Sequence, residues 1–281
     1  MTRPIDIFRP GRSFPAVSVT GARCDLQCHH CAGHYLHGMR AATEPEGLLR
    51  LALELDEAGA LGMLISGGSD TTGKVPLERF VGTIRRIKDT TRLKLNAHVG
   101  LAPRSDLENL VAAGVDAFSV DVYGTDSAVQ DTLGLDACAD DFMKVIEDLK
   151  DLDAPAVAPH ICIGVEKGVL AGEMDAIARL KPIGPDALVF IVFTPTKGTS
   201  YEKAPPPAPS DIISVLRLAR EQLPDTRLVL GCMRPRMARQ YELEAVALGI
   251  DGIVMPSRAT LKYIRRSGAN ISEKETCCAL G

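Results

Sequence analysis

Short aliphatic runs and longer amphipathic stretches alternate through nearly all of this 281-residue chain, and that alternation leaves few folds open to it. The runs are AVSVT, GMLIS, LKLNAH, AFSVDV, VAPHICIG, ALVFIVF, RLVLG and DGIVM. Helical patterns occupy 46–58, 76–88, 104–113, 140–151, 170–180, 210–222, 235–247 and 257–266. Strand–helix alternation of this kind is the pattern of parallel strands joined by crossovers. Eight right-handed units can close on themselves, so the expected fold class is α/β, a (β/α)8 barrel of the TIM type. Three helix-to-strand junctions, EAGALGML, AAGVDAFSV and ALGIDGIVM, share one signature. In each a Gly follows the last helical turn, where a left-handed residue is cheapest for glycine.

No linker interrupts the pattern, and 1–281 reads as one domain. The longest irregular segment is APPPAPSD, at 204–211. It is expected to lie extended across one face before Ser210 or Asp211 caps the next helix. The tail, 267–281, is polar, ends in ETCCALG and is expected to fold over the barrel mouth. With 46% hydrophobic residues, 4% aromatics and no Trp, the core must be aliphatic. The net charge of −4 comes from interspersed charges, which argues against a nucleic-acid or anionic-membrane footprint. No apolar run approaches a bilayer span, and MTRPIDIFRPGRSFPAV lacks a signal-peptide stretch. Eight cysteines without an export signal favour a cytoplasmic, reducing compartment, where thiols serve metals or catalysis.

The most specific motif is RCDLQCHHCAGHY, with Cys24, Cys28 and Cys31 spaced C-x3-C-x2-C. Three thiolates on one loop can hold three irons of a cubane cluster, whose usual complement is four cysteines. No fourth cysteine lies nearby, so one iron would keep an open position. A zinc site is the alternative, with His34 as fourth ligand in C-x2-C-x2-H spacing. Structural zinc motifs usually bring a second ligand pair from a distance, and no tidy pair appears. Buried cysteines also serve as small hydrophobes, but rarely three within eight residues.

On these residues the chain resembles the radical S-adenosylmethionine (SAM) enzymes. The stretches VSVTGARCDLQCHHC, LGCMRP and CCAL resemble the biotin and lipoyl synthase branch, and within it the two-component lipoyl synthases. The resemblance implies that SAM chelates the open iron and that reduction yields a 5′-deoxyadenosyl radical. It implies that Ser66, Gly67 and Gly68 form the glycine-rich turn at the SAM amino group, though Ser69 and Asp70 stand where the family commonly has Glu. It places His30 beside the adenine, with Ile163 and Gly164 on the adenine-packing strand. Asn96, His98 and Asp121 close the third and fourth runs; a carboxylate there suits the ribose hydroxyls, since it only accepts hydrogen bonds. Thr194 and Thr196 stand in the loop after the sixth run, Glu173 reads as structural, and Cys138 as a helix-entry residue.

Cys232, Cys277 and Cys278, with Cys162 added, are the expected ligands of an auxiliary iron–sulfur cluster. The resemblance implies sulfur insertion at unactivated C–H bonds, with an octanoyl-lysyl carrier protein or peptide as substrate in lipoyl cofactor biosynthesis. The implied partners are that carrier, a second radical SAM subunit, and a ferredoxin or flavodoxin as electron donor. Biotin-type thiolation, methylation or rearrangement by another radical SAM enzyme stays open, as does a non-enzymatic zinc module. Methylation and rearrangement differ from sulfur insertion in that they predict no sacrificial second cluster.

Overall fold

Eleven parallel strands make one open, curved sheet in a computed structural model that describes residues 4–235 and 239–281. The strands are β1 (Ile5–Phe8), β2 (Ala16–Ser18), β3 (Arg40–Ala41), β4 (Gly62–Ser66), β5 (Lys94–His98), β6 (Ala117–Val122), β7 (Val157–Ile163), β8 (Ala187–Val192), β9 (Arg227–Leu230), β10 (Gly252–Val254) and β11 (Ile271–Lys274). The helices are α1 (Pro45–Glu57), α2 (Val81–Thr90), α3 (Arg104–Ala112), α4 (Ala139–Asp151), α5 (Glu173–Ile183), α6 (Pro209–Gln222), α7 (Tyr241–Ala247) and α8 (Arg258–Arg266). All eight expected strands form, each followed by its helix. Of the helix expected over 235–247, only Tyr241–Ala247 forms, as α7; Pro235, Arg239 and Gln240 are not helical, and residues 236–238 lie outside the described residues.

The strand order is β11-β1-β10-β9-β8-β7-β6-β5-β4-β2-β3. The eight expected units therefore stand side by side in sequence order, but the sheet does not close. Its two ends are β11 and β3, and the shape is a half-barrel. Three short strands escaped sequence reading because two to four residues carry too little periodicity. Two of them lengthen one end: β1 pairs with β10, and β11 pairs with β1.

Side chains alternate between the two faces of each strand. Leu95, Phe118, Ile161, Ile163, Leu188, Phe190 and Ile253 face the helices and build the main aliphatic core. The opposite, concave face carries Asn96, Ser119, Ala158, Val189 and Val229. Gly59, Gly114 and Gly249 have φ of 78°, 92° and 83°, so the three shared junctions do turn through the left-handed region. Helix α6 starts one residue earlier than expected: Ala208 is the cap and Pro209 the first helical residue. Proline suits that place because its missing N–H would have had no helical partner.

The tail runs elsewhere than the rim of the mouth. After β11, Ser13 Oγ donates to Glu275 at 2.7 Å, and the chain turns into the concavity. Cys278 and Ala279 are buried among Phe8, Ala117, Ala158, Val189, Val229 and Val254. A Cβ on Gly281 would lie 2.9 Å from Arg227 Nη1, at the first residue of β9. The tail thus fills the concave face toward the strand N-termini, where small and apolar side chains leave room for it.

Candidate active site

The cysteine loop follows β2 and is shaped by backbone turns. The N–H groups of Cys31 and Ala32 both donate to Cys28 O, at 3.1 and 2.8 Å, and His34 N–H donates to Cys31 O at 2.7 Å. Gln27, Ala32 and Gly33 adopt φ of 48°, 43° and 71°, folding the loop back so that Cys24, Cys28 and Cys31 belong to one tight segment. The Cys28 thiol donates to Cys31, which is thereby held well below the usual thiol range, at about 4; burial opposes this and His30 adds to it. Cys28 moves the opposite way, since Cys31 holds its proton. His30 Nδ1 is buried with no hydrogen-bond partner. Among the described residues no three His, Cys, Asp or Glu side chains converge as ligands of one metal ion.

The glycine-rich turn after β4 is pressed onto this loop. Gly68 N–H donates to Thr20 Oγ1 at 2.7 Å, and Asp25 N–H donates to Ser69 O at 2.8 Å. A Cβ on Gly68 would lie 2.1 Å from Arg23 O and 2.5 Å from Cys24 Cα, so only glycine fits. Ser66 is buried at the end of β4. Asp70 does not replace the missing acid: its Oδ1 accepts from Thr72 N–H, Thr72 Oγ1 and Lys74 N–H at 2.8, 2.6 and 3.2 Å.

The remaining expected site residues divide. Asp121, His98 and a residue the sequence reading left unassigned, His160, sit together on the concave face. The two imidazoles meet edge to face with centroids 5.6 Å apart. His160 Nδ1 donates to Ala158 O at 2.8 Å, which leaves Nε2 as the free acceptor. Burial, then the neighbouring His160, depress His98 to about 4, against the pull of Asp121. Asn96 is fully buried and otherwise engaged: its Nδ2 donates to Ser119 Oγ at 3.0 Å and to Cys277 Sγ at 3.3 Å, and its Oδ1 accepts from Ser119. It anchors the tail rather than a nucleotide. Ile163 is fully buried in the core against the helices, so its side chain is turned from the concavity and only its backbone remains available. Gly164 has φ of 73°, and a Cβ there would meet Pro207 at 2.9 Å. The proline-rich segment lies against this glycine, as expected of a loop laid across a face. Glu173 fixes the same turn, accepting from the N–H groups of Gly164, Ala171 and Gly172 at 2.6, 2.9 and 3.2 Å. Thr196 Oγ1 bonds Tyr35 Oη at 2.9 Å, joining the cysteine loop to the loop after β8.

The other cysteines fall into two groups. Cys277 is lowered to about 7, first by the Cys278 thiol and further by Ala279 N–H and Asn96, against burial. Cys278 is raised by Cys277, by burial and by Cys232; burial and Cys277 raise Cys232 too. Cys232 follows β9 and is exposed, within electrostatic reach of Cys277. It is presented by Arg234, which is fully buried and donates to Glu242 Oε1 at 2.9 Å and to the carbonyl oxygens of Gly231 and Val254. Cys162 stands apart from these three, against the cluster of Cys28, Tyr123, Val129 and Val165 that also borders Cys31. The sequence reading grouped it with Cys232 and the tail thiols. What it could not give is distance along the strand: Cys162 is four residues, about 13 Å, beyond Ala158, which the tail touches.

Parallel α/β architecture with a thiol loop at the strand C-termini defines the class, and the comparisons give the family. Residues 18–168, more than half of the chain, match the radical SAM superfamily, and the chain belongs to it. Its relatives include the biotin synthase of Clostridium acetobutylicum, 21% identical over 266 residues that make up 92% of this chain and 78% of that one. The biotin synthase of Nocardioides sp. is 25% identical over 277 residues, 90% of this chain and 70% of that one. Among solved structures, HydG, a maturase of FeFe-hydrogenase, superposes with a TM-score of 0.68 at 17% identity; the match covers 96% of this chain and 64% of HydG. Methylornithine synthase (PylB) gives 0.63 at 16% identity, covering 96% of this chain and 84% of PylB. These structural likenesses establish the fold. Membership of the family implies a 4Fe–4S cluster and SAM, and the three-thiol loop, with its unpartnered His30 Nδ1, is chemically suited to both. No helix among the described residues is long and apolar enough to cross a membrane.

Proposed function

We propose that this chain cleaves SAM reductively and uses the resulting 5′-deoxyadenosyl radical for sulfur insertion at an unactivated C–H bond, in lipoyl cofactor assembly on an octanoyl-lysyl carrier. Cys24, Cys28 and Cys31 hold the cluster that supplies the electron. The backbone of Gly67 and Gly68 would receive the SAM amino group, His30 would lie beside the adenine, and Asp121 would accept from the ribose hydroxyls. His98 stays neutral next to Asp121 and so adds no competing charge. Cys232, Cys277 and Cys278 would hold a second iron–sulfur centre, which would supply the sulfur.

The observation that supports this reading is the return of the tail into the concavity, where Cys277 is bonded to Asn96 and Cys278 is buried, both within electrostatic reach of Cys232 beyond β9. Neighbouring thiols with no disulfide among them are the donor type an auxiliary iron–sulfur cluster takes. A methylation or rearrangement enzyme would not need them.

Anaerobic iron and sulfide analysis tests the centre: about eight irons per chain are expected, falling to about four in the Cys277→Ala/Cys278→Ala variant. Equal iron in both proteins refutes the auxiliary centre. Incubation with SAM, a one-electron donor and an octanoyl-lysyl peptide should then give sulfur-bearing peptide by mass spectrometry. Deoxyadenosine without sulfur transfer would favour the methylation or rearrangement reading.

A further inference from the structure

The buried pair of Arg234 and Glu242 has a second cation beside it. Both partners are fully buried, where the ends of β9 and β10 meet α7 and α8. Glu242 is engaged at both oxygens. Its Oε1 accepts from Arg234 Nη2 at 2.9 Å, and its Oε2 accepts from Ser257 N–H and Thr260 Oγ1 at 2.9 and 2.8 Å. Arg239 brings its Nε to 3.2 Å from the same Oε1 but makes no hydrogen bond there, so that N–H points elsewhere. Two guanidiniums thus share one carboxylate, and one positive charge is left over.

Among the described residues, three atoms of this group that can donate are buried without a hydrogen-bond partner: Arg234 Nε, Arg239 Nε and Tyr241 Oη. Tyr241 is 2% exposed, and the charged neighbours of its hydroxyl are Arg234, Glu242 and Arg239. The neighbouring carbonyl oxygens already serve the Nη atoms. Arg234 donates to those of Leu230, Gly231 and Val254, and Arg239 to that of Met255. A buried donor left unmet is destabilising, and a buried charge left unpaired more so. One acceptor that also carries negative charge answers both.

We infer that Arg234, Arg239 and Tyr241 bind a small monovalent anion of the chloride type. Its size and charge follow from the surroundings. A tetrahedral oxyanion would bring more oxygens than there are free donors, and a second negative charge would press against Glu242. A halide accepts from two N–H groups and one O–H group and cancels the one charge in excess. The Arg239 side chain is 21% exposed, so the group opens to solvent on that side, by which the ion enters. Bound there, it ties the start of α7 to the segment after β9 that carries Cys232. The inference stands on these residues alone and does not depend on SAM cleavage.

Crystals of the unaltered chain grown with sodium bromide in place of chloride should show an anomalous bromide peak bonded to Arg234 Nε, Arg239 Nε and Tyr241 Oη. In solution, the unaltered protein purified without air should melt about 3 °C or more higher in about 200 mM potassium chloride than in potassium gluconate of equal ionic strength. Tyr241→Phe keeps the ring and loses only the hydroxyl; Arg239→Gln loses the extra charge. Each should reduce that difference at least two-fold, whatever its own melting temperature. Arg265→Gln, which changes an exposed guanidinium of α8, should leave it as it was. Should either variant fail to fold, the bromide peak and the two-salt comparison on the unaltered chain decide. Water or no density at the three atoms overturns the inference. So does bromide bound at crystal concentration only, with equal melting in the two salts, or a chloride effect that both variants keep.

Discussion

At the scale of single residues the site is set by what has no room to change. Gly68 touches Arg23 O and Cys24 so closely that a methyl group would sit 2.1 Å from the carbonyl oxygen. Gly68→Ala should shift the cysteine loop. Iron retained after anaerobic reconstitution is expected to fall at least two-fold, and SAM cleavage about ten-fold or more, about 1.4 kcal/mol of barrier or above, with the far-ultraviolet circular dichroism kept. His98 offers a second test. Its pKa is depressed in the folded chain to about 4, from an ordinary value of 6.5, so between those values the unfolded chain binds a proton that the folded chain refuses. Stability from this source is full above about pH 6.5 and declines as pH falls toward 4, by at most about 3 kcal/mol. His98→Gln should flatten that part of the urea-denaturation profile; an unaltered slope would show that the imidazole is not held neutral. The cysteine triplet was legible in the sequence because spacing within eight residues is local information. The partners of Asn96 and Cys162 were not, because they come from neighbouring strands and from the tail and the cysteine loop, which are distant in sequence.

At the scale of elements, the strands and helices were almost wholly legible. Near-continuous aliphatic runs and glycine-closed helix ends mark them in one dimension. The exceptions were β1, β3 and β11, too short to show a period, and the tail. Residues 275–281 pack like a core element though nothing in ETCCALG announces one. Their removal by truncation after Lys274 should expose Val189, Val229 and Phe8. The loss is expected at about 2–4 kcal/mol by urea denaturation, the order of one or two buried apolar side chains and the space they leave. A truncated chain as stable as the full one would mean that the tail only rests on the surface. The Arg234–Glu242 pair, both fully buried, should be as demanding. Glu242→Gln leaves the guanidinium without its counter-charge and is expected to cost about 3–5 kcal/mol, with Cys232 losing its fixed place.

At the scale of the molecule, one sheet runs through every unit, and the helix-facing core is continuous from Ile5 to Ile264. Unfolding should therefore be cooperative across the chain. Circular dichroism and tyrosine fluorescence should give coincident urea transitions; separated midpoints would show that part of the half-barrel folds alone.

The sequence by itself determined the family, the order of the strands and the loop that bears three thiols, since each is written in spacing a few residues long. Only the tertiary structure decided that the sheet stays open, that the tail enters it, that Asn96 holds Cys277, and that Cys162 stands beside the first thiols instead of the last. Those choices follow from strand register and from the space left on the concave face. Contacts between distant segments settle both, and no local pattern records them.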